Sequence, residues 1–114
     1  SFWATWCSLC VEEMPRLVSL ERNYRGRGLR LVTVSCDEAE DQAKAERVLH
    51  RVGALQPAYI KRVADDDRFI RFIDGNWSGA LPALFLYDRR GRLVRSFIGE
   101  TEINVLENAV RSVL

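Results

Sequence analysis

The feature that most constrains the fold of this chain is a nearly continuous apolar run, LRLVTVSC, at residues 29–36. Its β-branched residues favour an extended strand, and a strand that is apolar at almost every position is covered on both faces. Strands of this kind occur in parallel sheets whose faces are covered by helices. The 114 residues, 47% of them hydrophobic, are enough for one core, so we expect a single domain over residues 1–114.

Helical and extended patterns alternate along the rest of the chain. We predict helices over residues 8–25, 37–52, 65–73 and from Thr101 to the end, and strands over residues 1–4, 29–36, 58–63, 83–87 and 93–98. Acidic residues are expected to cap the second and third helices, and Thr101 the last. Pro15 is expected to kink the first helix, because its ring removes an amide donor. This order predicts an α/β fold, with a mixed central sheet flanked by helices.

Two of the three cysteines, Cys7 and Cys10, lie three residues apart where a predicted strand runs into a helix. The first amides of a helix are unpaired and its dipole is positive at that end, so this position stabilises a thiolate. Such sites lower a thiol pKa from about 8.5 to roughly 3.5–7.5. We therefore expect Cys7 to be the nucleophile of a thiol–disulfide exchange.

Cys10 follows one helical turn after Cys7 and shares its face with Met14 and Leu17. It should therefore be the more buried of the two thiols. After Cys7 has attacked a substrate disulfide, Cys10 is placed to resolve the mixed disulfide that results.

The third cysteine, Cys36, makes the count odd, and three cysteines cannot form a complete disulfide framework. We expect Cys36 to be a core thiol that stays free, with a regulatory or mixed-disulfide role as the alternative. The close pair itself has two other interpretations. One is a pair of inert packing cysteines, and the other is a zinc site completed by Cys36 and His50, although zinc ligands usually come as two close pairs.

The segment FWATWCSLCVEEMP, at residues 2–15, resembles the active-site signature of the thioredoxin superfamily. More narrowly, it is similar to the TlpA/ResA-like branch of bacterial disulfide reductases. The resemblance extends through residues 35–37 and 79–82 to the closing hairpin and helix. It implies a thioredoxin fold with an inserted strand–helix unit. It also implies that the N-terminal strand segment of this family, and usually a signal or membrane anchor, would precede the residues of this sequence.

The resemblance also implies roles for particular residues. Pro82 corresponds to a cis-proline that faces the cysteine pair, and the backbone of Leu81 would pair there with an extended substrate. Trp6 would line the same site, and Glu13 corresponds to a glutamate that assists the proton transfers of the dithiol. The alternatives are a trans proline that starts a strand and a solvated carboxylate at residue 13. Trp77, in the loop before the proline, either forms part of a partner surface or closes the domain.

Two departures from the wider superfamily bear on function. Thioredoxins carry a buried aspartate just before the Phe-Trp pair, where this chain has Ser1, so the role of that aspartate would fall to Glu13. The dipeptide between the cysteines is Ser8-Leu9 instead of Gly-Pro, so a reduction potential does not carry over from thioredoxin to this chain.

The resemblance implies a monomeric reductase of protein disulfides that uses its cysteine pair and no cofactor or metal. It implies a periplasmic or other extracytoplasmic location, a membrane anchor outside this sequence, and a transmembrane electron donor as a partner. The alternatives are a binding module without turnover and a disulfide oxidase or isomerase. The formal net charge of +1, from 17 basic and 16 acidic residues, gives no electrostatic reason to expect nucleic acid or an anionic membrane as a partner.

Overall fold

The computed structural model of the chain describes residues 1–54 and 57–114. The strands in these residues are β1 (Phe2–Trp3), β2 (Thr33–Ser35), β3 (Ala58–Ile60), β4 (Ala83–Tyr87) and β5 (Leu93–Ile98). The α-helices are α1 (Ser8–Tyr24), α2 (Gln42–Val52), α3 (Asp66–Ile73) and α4 (Ile103–Val113), and two short 3-10 helices span Arg25–Arg27 and Ala39–Asp41. None of the helices in this described part is long and apolar enough to cross a membrane.

The five strands form one sheet in the order β3-β2-β1-β4-β5. β1 pairs in parallel with β2, which pairs in parallel with β3, and β4 is antiparallel to both β1 and β5. The prediction of a mixed sheet flanked by helices is confirmed. The carboxyl ends of parallel strands lie at one edge, so the segments that follow β1, β2 and β3 meet there. The turn between β4 and β5 lies at the opposite edge.

The two residues of β1 point to opposite faces of the sheet and contact two layers of the core. Trp3 packs with buried residues of α1 and α2, including Met14. Further along α1, Leu17 packs with residues of β4, β5 and α4. α1 therefore lies between α2 and α4 on one face. Phe2 packs on the other face, against Trp77 and the inner side chains of α3.

The run at residues 29–36 forms a shorter strand than its composition predicts. Only Thr33–Ser35 is paired as a strand, and residues 29–32 lie outside the regular ladder. The Leu31 amide donates to a carboxylate oxygen of Glu21 on α1, at 2.6 Å, instead of to a neighbouring strand. β1 and β3 are also shorter than predicted, whereas β4 and β5 have the predicted bounds.

The starts of two helices differ from the predictions, because the expected caps have other partners. α2 begins later than predicted, and Asp37 is 2% exposed and accepts hydrogen bonds from Thr5 instead of capping the helix. α4 also begins later, and the hydroxyl of Thr101 donates to the carbonyl of Gly99 at 3.3 Å. Both predicted caps were therefore wrong.

The third helix and the end of the second follow the predictions. The Asp65 side chain caps α3 by accepting a hydrogen bond from the Arg68 amide at 3.0 Å. Gly53 ends α2 with a φ of 80°, in the left-handed region that glycine adopts readily. α1 continues through Pro15, and the kink expected there stays a prediction.

Candidate active site

Cys7 is the residue at which the chain turns from β1 into α1. Its amide donates to the carbonyl of Ala4 at 3.1 Å, which closes the turn, and its sulfur accepts a hydrogen bond from the Cys10 amide at 3.3 Å as the N-cap of α1. The first turn of α1 contains no acidic residue. The unpaired amides and the positive helix end therefore act on the Cys7 sulfur without an acidic side chain in that turn to oppose them.

Cys7 and Cys10 are joined by a disulfide, with their α-carbons 5.3 Å apart. Cys10 is 2% exposed and packs in the core with Trp3 and Met14, whereas Cys7 is partly exposed and lies against the edge of the same cluster. The predicted difference in burial is therefore present. A reaction partner in solvent therefore has access to Cys7, whereas Cys10 is enclosed.

Asp37 holds the turn before Cys7. It was not identified from the sequence as a site residue. Its two carboxylate oxygens accept hydrogen bonds from the Thr5 amide at 3.0 and 3.1 Å, and one of them accepts the Thr5 hydroxyl at 2.6 Å. The Ser35 hydroxyl donates to the same carboxylate. The signal in the sequence is an acidic residue directly after a buried strand, beside hydroxyl residues that can satisfy it. Asp37 therefore ties the end of β2 to the turn that places Cys7.

The loop that carries Leu81 and Pro82 is held in place by side chains. The peptide bond between these two residues is cis, as predicted. The indole of Trp77 is buried and donates to the carbonyl of Ala80 at 2.9 Å, so Trp77 closes the domain. Gly79 has a φ of +94°, in the region that favours glycine, and a β-carbon there would lie 2.7 Å from the terminal methyl carbon of Ile70.

Leu81 and Cys7 both pack against the core cluster that contains Cys10. Pro82 is fully buried, and its carbonyl accepts a hydrogen bond from the Gly99 amide at 2.8 Å. Two large apolar side chains flank the disulfide in the sequence and are exposed, Trp6 by 70% and Leu9 by 44%. Two exposed apolar side chains therefore accompany the partly exposed Cys7 at the start of α1, and the roles of Trp6, Leu81 and Pro82 toward a substrate stay predictions.

Glu13 lies on α1 one turn after Cys10 and is partly buried. Burial raises the pKa of its carboxyl from 4.5 to about 7, against the opposing positive charge of Arg16, and Glu100 adds to the increase. A carboxyl with this pKa can exchange a proton near neutral pH. Its role toward the cysteines stays a prediction.

Cys36 is a free thiol, partly buried against the core cluster of Phe2 and Trp77. Burial raises the pKa of this thiol, and the nearby charge of Lys61 opposes the increase. His50 is exposed on α2. Within residues 1–54 and 57–114, no three or more His, Cys, Asp or Glu side chains are grouped so that they could hold a metal ion.

Comparison with solved structures identifies the fold of the chain. The chain is similar to a thiol:disulfide interchange protein DsbE (putative) from Chlorobium tepidum, with a TM-score of 0.79 and 23% identity over 98% of this chain and 75% of that one. It is also similar to StoA from Bacillus subtilis, with a TM-score of 0.70 and 21% identity over 96% of this chain and 78% of that one. These structures confirm the thioredoxin fold.

The sequence comparisons then give the family. The sequence model of the AhpC/TSA family matches residues 1–96, so the chain belongs to the AhpC/TSA family of the thioredoxin superfamily. The thiol-disulfide oxidoreductase ResA of Bacillus thuringiensis (strain Al Hakam) is 29% identical over 113 residues, 99% of this chain and 61% of that protein. ResA of Geobacillus kaustophilus is 27% identical over 113 residues, 99% of this chain and 60% of that protein. The chain thus spans about three fifths of these relatives, and the resemblance to ResA is confirmed.

Proposed function

We propose that this chain is a thiol–disulfide oxidoreductase that reduces disulfides in other proteins. The observation that carries the proposal is the Cys7–Cys10 disulfide at the start of α1, with Cys7 partly exposed and Cys10 buried. A redox-active pair needs this asymmetry, because one thiol has to meet the substrate while the other waits for the mixed disulfide. The names of the ResA relatives agree with this activity.

In the proposed reaction the reduced Cys7 attacks, as a thiolate, one sulfur of a substrate disulfide. A bond forms between Cys7 and that sulfur, the substrate disulfide breaks, and the second substrate sulfur leaves as a thiolate that takes up a proton. Cys10 then loses its proton and attacks the Cys7 sulfur, which releases the first substrate sulfur as a thiol. Two electrons have passed from the cysteine pair to the substrate, and Cys7 and Cys10 are joined again.

Three features supply what these steps need. The amides at the start of α1 stabilise the Cys7 thiolate, which lowers the barrier to attack. Glu13, whose pKa burial raises to about 7, is the proposed acceptor of the Cys10 proton. The backbone of Leu81, which precedes the buried Pro82, and the exposed side chain of Trp6 would hold the substrate chain in an extended form beside Cys7. The electrons come from the cysteines themselves, so the reaction calls for no further cofactor.

The setting of the reaction is proposed from the relatives. We place the protein outside the cytoplasm, where a membrane anchor beyond these residues would hold it and a transmembrane dithiol donor would reduce Cys7–Cys10 again. The domain would act as a monomer. An oxidase would use the same residues with electrons that flow in the opposite direction, and an isomerase would use them with no net transfer of electrons. A binding module would use the same surface without turnover.

Turnover distinguishes these functions. The protein is supplied with dithiothreitol, and the precipitation of reduced insulin is followed for the wild type, Cys7→Ser and Cys36→Ala. We expect the wild type and Cys36→Ala to accelerate the reaction and Cys7→Ser to match the rate without protein. A wild-type rate equal to that of dithiothreitol alone would favour the binding module. A failure to reduce insulin, together with oxidation of a reduced dithiol peptide, would assign the oxidase.

A further inference from the structure

The end of the molecule opposite Cys7 carries six arginines in two adjoining segments. Residues 25–30 follow α1, and residues 88–92 form the turn between β4 and β5. A guanidinium nitrogen of Arg89 donates to the carbonyl of Arg27 at 2.9 Å, and the same side chain lies 3.3 Å from the position of a β-carbon on Gly28. The two segments therefore form one continuous surface.

All six arginines are exposed, and five of them form what we call the basic patch, which consists of Arg27, Arg30, Arg89, Arg90 and Arg92. The ion pairs within residues 1–54 and 57–114 join Arg25 to Glu21, Lys44 to Asp41 and Lys61 to Asp66, and none of them includes a residue of the patch. The positive charges of the patch are therefore available to an external anion.

The carboxylates beside the patch are already engaged. Glu21 is buried and pairs with Arg25 at 2.7 Å. One oxygen of Asp88 accepts the amides of Arg90 and Arg92, at 2.8 and 3.0 Å, within the hairpin turn. These contacts fix the backbone of both segments.

On the neighbouring helix α4, Glu107 accepts a hydrogen bond from the Tyr24 hydroxyl at 2.6 Å. Arg111 follows Glu107 one turn later on the same helix. The Glu107 carboxylate is therefore engaged by a hydrogen bond, and a positive side chain lies one turn away on α4.

Acidic residues collect at the other end of the molecule, around the cysteine pair. Residues 37–41 follow β2, residues 65–67 precede α3, and residues 100–102 follow β5, and together they contain nine of the acidic residues. These segments lie at the edge of the sheet where Cys7 begins α1. The formal net charge of +1 is thus an average over a negative end and a positive end, which α1 separates by about 25 Å along its length.

Exposed apolar side chains accompany the basic patch. Tyr87 and Leu93 pair across the hairpin, next to the arginines of the turn, and are exposed by 45% and 40%. Arginines beside exposed aromatic and aliphatic side chains suit the interface of a bilayer, which takes up both kinds of group. A nucleic acid backbone attracts the charges but gains little from an exposed leucine.

We propose that the basic patch, with Tyr87 and Leu93, docks the protein onto an anionic lipid surface. The acidic end is repelled by the same surface, so the field orients the molecule with Cys7 away from the bilayer. The docking surface and the cysteine pair are then at opposite ends, and a protein substrate can reach the disulfide while the domain is on the membrane.

Vesicle sedimentation tests the proposal. The protein is mixed with vesicles of equal parts phosphatidylglycerol and phosphatidylcholine, or of phosphatidylcholine alone, at low and at high salt. We expect binding to the anionic vesicles at low salt only. The triple variant Arg27→Gln, Arg90→Gln, Arg92→Gln should bind about 100-fold more weakly, because each basic residue near an anionic surface contributes about a five-fold change in affinity.

A second triple variant controls for net charge. Arg47→Gln, Arg68→Gln, Arg71→Gln removes three exposed arginines from α2 and α3 and should bind the anionic vesicles within about two-fold of the wild type. Equal losses in the two triple variants, or no binding of the wild type, would overturn the proposal. Tighter binding to a short DNA duplex than to the vesicles would overturn it in favour of nucleic acid. Sedimentation does not depend on turnover, so its outcome is independent of the proposed activity.

Discussion

The two ends of helix α1 are each fixed by a buried carboxylate, and they differ in what that carboxylate holds. At the amino-terminal end, Asp37 accepts hydrogen bonds from the turn that carries Cys7. At the carboxyl-terminal end, Glu21 accepts the Leu31 amide at 2.6 Å and pairs with Arg25. The same device therefore fixes a reactive sulfur at one end and a segment of exposed arginines at the other.

The comparison shows that both ends of α1 contribute to the stability of the fold, whereas only the amino-terminal end bears on the reactivity of Cys7. A buried carboxylate with satisfied hydrogen bonds contributes to stability at either end, because its loss leaves buried donors without acceptors. Only Asp37 is tied to the segment that places the Cys7 sulfur. A substitution at each end can therefore separate a general loss of stability from a loss of reactivity.

The largest expected effect is a loss of stability when either of these two carboxylates is removed. Asp37→Ala should lower the free energy of unfolding by about 3 kcal/mol, because the Thr5 amide and two hydroxyls lose a charged acceptor in a buried place. Urea denaturation measures this change. We also expect the reduced variant to react more slowly with a disulfide, because the turn before Cys7 is no longer tied to β2.

Glu21→Ala is the matched control at the other end of α1. It should lower the free energy of unfolding by about 2 kcal/mol, for the same reason, and leave the rate of disulfide exchange at Cys7 unchanged. Equal slowing of exchange in the two variants would mean that Asp37 acts only through global stability. The distinction between the two ends would then be lost.

The next effect is a loss of activity toward protein substrates when the exposed apolar surface beside the cysteines is reduced. Trp6→Ala should reduce kcat/KM for insulin about ten-fold, because a large aromatic side chain at the centre of a contact surface contributes strongly to binding. For a small aromatic disulfide, which needs little contact area, the change should stay within about two-fold. A matched substitution near the opposite end, Val94→Ala, should alter neither rate. Similar losses with both substrates would place Trp6 in the chemistry at Cys7 and not in the docking of proteins.

A smaller effect, on the pH dependence of stability, is expected from Glu13. Its carboxyl has a pKa of about 7 in the fold and an ordinary value of 4.5. Between these values the folded protein retains a proton that the unfolded chain has lost, so the free energy of unfolding decreases as the pH rises from 4.5 toward 7. Glu13→Gln should remove this decrease, and urea denaturation across the pH range measures it.

The same variant tests the proposed proton transfer. Without the negative charge of Glu13, we expect the pKa of the Cys7 thiol to be lower and the resolution of a mixed disulfide to be slower. Glu12→Gln, at the exposed neighbouring position, should behave as the wild type in both measurements. Thiolate absorbance curves and resolution rates that coincide for Glu13→Gln and Glu12→Gln would remove Glu13 from the mechanism.

The smallest effect is expected at Cys36. Burial raises the pKa of this thiol, and a less acidic thiol supplies little thiolate for exchange. Cys36→Ala should therefore keep the rate of insulin reduction within about two-fold of the wild type. Mass spectrometry of the oxidised wild type should show the disulfide between Cys7 and Cys10 alone. A disulfide that includes Cys36 would show that the third cysteine takes part in the exchange.

The parts of the fold that were predictable are those in which local pattern and tertiary packing agree. β4 and β5 have the predicted bounds, since the short connection at residues 88–92, which contains Gly91, fixes the hairpin locally. The site of the cysteine pair was also evident, because strand, turn and helix follow one another within ten residues of sequence. Asp37 was predicted to begin the second helix, whereas its hydrogen-bond partner Thr5 lies 32 residues away in the sequence. No local pattern can show a contact over that separation.

The distribution of charge over the molecule was the second feature that composition could not reveal. The total of 17 basic and 16 acidic residues cancels to +1, and the sequence order gives no direct view of which segments share an end of the molecule. The antiparallel course of β4 and β5 brings the hairpin turn to residues 25–30, where Arg89 meets Arg27. The separation of charge is therefore a property of the topology.

The most direct test of the central claim is to identify the cysteine that bonds to the substrate. Reduced Cys10→Ser is mixed with a peptide that contains a disulfide, and the covalent product is isolated and mapped by mass spectrometry. The account predicts a stable mixed disulfide through the Cys7 sulfur, because the buried Cys10 that would resolve it is absent, and no product from reduced Cys7→Ser. A mixed disulfide through Cys10 in the Cys7→Ser variant, with none through Cys7 in the other, would contradict the account.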